Sequence, residues 1–84
     1  MNARKLLRYA IWRPANLRFA ELVRLVEALG FRLDRVSGSH HIFLHPDVPV
    51  AVNLQNVKGK AKPYQVRQVL KLIERYNLSL EDRT

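Results

Sequence analysis

The sequence predicts an α+β domain in the order α-β-β-β-α, with a short helix ahead of it. Three observations carry this expectation. Apolar residues recur at helical spacing towards both ends of the chain, apolar and polar residues alternate through its middle, and Gly, Pro and Asn mark the boundaries. At 84 residues the chain has room for one modest core. Its 48% hydrophobic content is that of a folded domain and not of a disordered basic tail.

Residues 3–12 read as a short helix, with Leu6, Leu7, Ala10 and Ile11 on one side and Arg4, Lys5 and Arg8 on the other. Pro14 ends it, and Asn16 offers a turn or a cap. Phe19, Leu22, Val23, Val26 and Leu29 then keep helical spacing up to Gly30, while Arg18, Glu21, Arg24 and Glu27 alternate in sign along the polar side. Residues 31–36 alternate apolar with charged and read as a strand. The turn Ser37-Gly38-Ser39 is short enough for a hairpin, and residues 40–44 return as a second strand. Pro46-Asp47-Val48-Pro49 turns the chain again, after which Val50, Val52 and Leu54 alternate with Ala51, Asn53 and Gln55. Residues 57–62 read as a flexible loop, with Lys58, Lys60 and Lys62 around Gly59. Pro63 stands where a helix begins, and Val66, Val69, Leu70 and Ile73 form its apolar stripe. Arg67, Lys71 and Arg75, four apart, make a basic ridge on that helix. Residues 78–84 are expected to fray. Helices on one face of a three-stranded antiparallel sheet would cover its apolar side, which is the layout of a double-stranded RNA-binding domain.

Fifteen Lys and Arg against seven Asp and Glu leave a net charge of +8. Such an excess points to a polyanion, an anionic membrane or an acidic protein partner, or simply to a solvated basic surface. With no cysteine, a disulfide framework and a thiolate metal site are excluded. No apolar run approaches the ~18 residues of a membrane span, and the N-terminus lacks the pattern of a secretory signal. A cytoplasmic protein with no membrane partner is expected.

All the histidines, His40, His41 and His45, fall within six residues behind the Gly-Ser turn. Histidine is the side chain whose ordinary pKa suits proton transfer near neutral pH. On a strand, His41 and His45 share a face but lie roughly 13 Å apart, while His40 points the other way from both. Asp47 is the sole nearby carboxylate, so neither a metal nor any other cofactor is expected. In a structural reading, His40 shares its face with the natural core residues Ile42 and Leu44, His41, Phe43 and His45 face water, and His45 caps the strand end. In a chemical reading, an imidazole serves RNA cleavage by the neighbouring 2′-hydroxyl. That reaction needs a proton acceptor, a proton donor and cations around the phosphate. Lys58, Lys60, Lys62, Arg35 and the Arg67-Lys71-Arg75 ridge supply such cations.

Val26-Glu27-Ala28-Leu29-Gly30-Phe31, the run from Gly38 to Asp47 with its G-S-H-x-x-x-x-H-P pattern, the lysine loop and the helix from Pro63 to Leu78 together resemble the HicA family of toxins from type II toxin–antitoxin systems. The resemblance spans residues 18–78, within a HicA-like domain of residues 18–84. Residues 1–17 form an additional N-terminal extension. It implies the double-stranded RNA-binding-like fold and a small ribonuclease that cleaves mRNA and is inhibited by a HicB-type antitoxin encoded alongside. The family's catalytic histidine, in its G-S-H motif, maps to His40. Some members carry it one place later, at His41, and strand alternation also favours His41 as the exposed ring. The expectation is His40, which beside the turn can reach solvent at the sheet rim. Gly38 and Ser39 would shape the turn and offer N–H and hydroxyl groups to phosphate, and Lys58, Lys60 and Lys62 would hold the RNA backbone. The rival expectation is an RNA-binding module without catalysis.

Overall fold

A computed structural model describes residues 2–81. The Asn2 side chain accepts the Lys5 N–H at 2.9 Å and opens helix α1 (Ala3–Trp12). A 3-10 turn over Pro14–Asn16 leads to α2 (Phe19–Ala28), whose first turn is closed by the Arg18 N–H donating to Glu21 at 2.9 Å. Three strands follow, β1 (Arg32–Ser37), β2 (His40–His45) and β3 (Val48–Gln55), and then α3 (Pro63–Tyr76). The strands form an antiparallel meander with β2 in the middle. The expected α+β order is therefore the observed one, with the short helix in front.

One core joins all the helices to the sheet. Leu6 and Ala10 of α1, Leu22, Leu25 and Val26 of α2, Phe43, Val52 and Leu54 of the strands and Val66 and Val69 of α3 are buried together. Pro49 is accommodated because β3 is an edge strand, where a missing N–H breaks no ladder. β3 accordingly starts at Val48, earlier than the proline pattern suggests.

Three expectations are corrected. The faces of β2 are the reverse of the structural reading. Phe43 is 1% exposed and faces the helices together with His41 and His45, whereas His40, Ile42 and Leu44 lie on the opposite face and Leu44 is exposed. The His-His-Ile-Phe-Leu-His run has apolar residues at both parities, so alternation alone does not choose. Phe19 and Phe31, at the two ends of α2, choose, because each packs edge-on against an imidazole of the Phe43 face. The lysine loop is also no flexible loop. Val57 and Lys60 exchange both backbone hydrogen bonds, at 3.1 and 3.0 Å, around Lys58-Gly59. Both turn residues have positive φ, 53° and 83°, as a type I′ turn requires. Finally, the tail does not fray as far as residue 81. Leu78 and Leu80 pack on the core, and the Glu81 N–H donates to Ala28 O at 2.6 Å. Residues 82–84 lie outside the described residues.

β1 carries a bulge between Leu33 and Arg35. It puts Leu33, opposite Phe43, and Val36, opposite His41, on the same face although they are three residues apart.

Candidate functional site

The hairpin turn between β1 and β2 delivers the histidines. Ser37 pairs with His40, which leaves Gly38-Ser39 as a two-residue turn. Gly38 has φ +59°, and nothing lies within 4 Å of where its Cβ would stand, so backbone conformation and not space asks for glycine there. The Ser39 carbonyl accepts the Asn56 N–H at 2.9 Å and so ties the turn to the end of β3.

The three imidazoles then part company. His45 has both nitrogens committed: Nε2–H donates to Leu29 O at 3.0 Å, and Nδ1 accepts the Asp47 N–H at 3.0 Å. Its ring packs on Phe31 with centroids 4.9 Å apart. Gly30, at φ +102°, is shaped to the same ring, because a Cβ there would stand 2.9 Å from His45 Nε2. His41 is half-buried, donates Nδ1–H to Ser39 O at 3.3 Å and packs on Phe19 at 4.8 Å. His40, on the face opposite Phe43, lies 3.0 Å through Nδ1 from Asn53 Oδ1 on β3. An amide oxygen accepts, so Nδ1 carries the hydrogen and Nε2 of the neutral ring keeps a lone pair.

His40 lines a groove of about 510 Å³ between β3 and α3, together with Asn53, Tyr64, Gln68, Lys71 and Arg75. The α3 residues of this set stand at i, i+4, i+7 and i+11, one polar stripe of an amphipathic helix. Of the expected basic ridge, Lys71 and Arg75 reach the groove and Arg67 does not line it. Lys58, Lys60 and Lys62 do not line it either. Their turn is clamped to the entry of α2 by Phe19 N–H donating to Gly59 O at 3.0 Å and Ala61 N–H to Leu17 O at 3.1 Å. That puts the lysine turn beside Phe19, against which His41 packs. Lys62 alone connects to the groove, its Nζ standing 5.7 Å from the centroid of the Tyr64 ring.

Sequence reasoning passed over Asn53, Tyr64 and Gln68. The i, i+4, i+7, i+11 spacing beginning at Tyr64 was a legible signal for the helix side of the groove. Asn53 had none, since its proximity to His40 depends on the β2–β3 register, in which it pairs with Ile42. Among the described residues no group of three or more His, Asp or Glu side chains is arranged to hold a metal ion. No helix among them is long and apolar enough to cross a membrane.

No curated protein matches the chain. The sequence model of the HicA toxin of bacterial toxin–antitoxin systems matches residues 19–74, from the first residue of α2 to the last turn of α3. It thus covers the whole sheet, the three histidines and most of the groove. By this match over most of its length, the chain belongs to the HicA toxin family.

Proposed function

We propose that this protein is the toxin of a type II toxin–antitoxin pair and acts as an endoribonuclease on mRNA, without a metal, in the cytoplasm. The observation that carries the reading is His40 at the groove, with Nδ1 held by Asn53 and Nε2 left over, in the company of Lys71 and Arg75. In the first half of the step, Nε2 takes the proton of an RNA 2′-hydroxyl as that oxygen bonds to the adjacent phosphorus. The P–O5′ bond then breaks. The leaving oxygen takes a proton from the imidazolium, a lysine or water, giving a 2′,3′-cyclic phosphate and a 5′-hydroxyl. A positioned imidazole contributes about 10²–10⁴-fold to such a transfer. Lys71 and Arg75, further along the same groove, hold the RNA backbone at phosphates neighbouring the reacting one.

Gly38 and Ser39 serve by setting where β2 begins. The Ser39 hydroxyl, with no partner among the described residues, is open to a phosphate oxygen. Lys58, Lys60 and Lys62 extend the basic surface along the RNA backbone. His41, whose Nδ1–H is likewise fixed, is the alternative proton carrier. A HicB-type antitoxin of acidic character would inhibit by covering the groove, as the net charge of +8 favours.

The test is incubation of RNA with the purified protein in chelator, with a DNA strand of the same sequence alongside. Cyclic-phosphate ends on the RNA and intact DNA are expected. Salt-dependent RNA binding with no cleavage would overturn the enzymatic reading in favour of a binding module.

A further inference from the structure

We infer that Tyr64 is a stacking platform for a base of single-stranded RNA lying in the His40 groove; this rests on the reading of that groove as an RNA site. Tyr64 occupies the first turn of α3 and is 49% exposed. It lines the groove that holds His40.

The ring is held there by a buried device. Gln65, 4% exposed, accepts the Gln55 N–H through Oε1 at 2.9 Å and donates Nε2–H to the Tyr64 hydroxyl at 3.3 Å. Gln55 is the residue directly opposite His40 in the β2–β3 register. One amide therefore fastens the phenol to the strand position facing the imidazole, so ring and imidazole keep a fixed relation. Lys62 Nζ stands 5.7 Å from the ring centroid but does not line the groove, whereas Tyr64 does. Beyond Tyr64 the same stripe continues to Lys71 and Arg75, roughly 10 and 16 Å along the helix axis. An aromatic ring followed by spaced cations suits a strand whose bases are free to stack and whose backbone runs alongside. In a duplex the bases are already stacked on one another and present no free face, so the platform selects unpaired RNA.

The experiment uses the full chain carrying His40→Ala, so that binding is read without cleavage. The probe is a short RNA containing one 2-aminopurine, whose fluorescence reports stacking. Tyr64 is compared with Tyr64→Phe and Tyr64→Leu, after thermal unfolding has shown all of them folded. The inference expects Tyr64→Phe, which keeps the stacking ring and loses the Gln65 tether, to keep the quench and lose less affinity than Tyr64→Leu. It expects Tyr64→Leu to lose the quench and weaken binding about 5- to 150-fold, and the pre-annealed duplex to compete more poorly than the single strand. Unchanged binding by Tyr64→Leu, an equal loss in Tyr64→Phe, or equal competition by the duplex would each overturn it. The two readings fail separately. A Tyr64-dependent quench in a chain whose wild type cuts no RNA removes catalysis and leaves the platform, whereas normal cleavage and binding by Tyr64→Leu removes the platform alone.

Discussion

His40 and His45 stand at the two ends of one six-residue strand and face opposite sides of the sheet, and they differ in how many ring nitrogens the fold has already used. His45 spends Nε2 on Leu29 and Nδ1 on Asp47, with its ring against Phe31 and a glycine shaped to it. Nothing of that imidazole is left for a substrate. His40 spends Nδ1 alone, on a side-chain amide, and leaves Nε2 at a groove with two cations. Under the proposed function, what would distinguish the reactive histidine is the account of its two nitrogens, and neither sequence proximity nor exposure supplies that account. His41 lies between the extremes, half-buried with Nδ1 on its own turn.

Substitutions at the two ends should therefore fail in different assays. His40→Ala is expected to reduce RNA cleavage by about 10²–10⁴-fold, with an unfolding midpoint close to wild type. His45→Ala should do the reverse. Losing the ring against Phe31 and stranding the Leu29 carbonyl and Asp47 N–H should cost about 2–3 kcal/mol in denaturant unfolding, with cleavage by the folded fraction retained. Gly30→Ala tests the same corner from the other side. A side chain at φ +102°, crowding His45, should cost about 1–3 kcal/mol. Asn53→Ala leaves His40 in place but unheld, and about a tenfold drop in cleavage is expected at nearly unchanged RNA affinity. The smallest effect belongs to Lys71→Ala. RNA binding should weaken for every sequence alike, and the slope of log K against log salt should fall by about 0.7.

Much of this fold was legible in the sequence for physical reasons. Pro63 opens α3 because a helix start needs no N–H there, and Gly38 marks the hairpin because its first turn position has positive φ. The helical stripes stood out because each helix buries one face. Other features depended on partners distant in sequence. Phe43 rather than Ile42 faces the core because Phe19 and Phe31 pack against His41 and His45 on the same face of β2. The bulge near Asp34 breaks the alternation from which a sheet face would be read. Lys58 adopts φ 53° in a turn clamped to Leu17 and Phe19, a constraint that no local lysine pattern reveals. At the site, the histidine motif and two of the ridge cations were visible, whereas Asn53 and Tyr64 gain meaning only once β2, β3 and α3 are side by side.

The most direct measurement sets His40→Ala beside His41→Ala in RNA cleavage with chelator present, each variant matched to wild type in folded fraction. If Nε2 of His40 carries the proton, His40→Ala loses at least about 100-fold while His41→Ala keeps most of its activity. Wild-type cleavage by His40→Ala, or a loss confined to His41→Ala, would contradict the account and move the chemistry to the other face of the sheet.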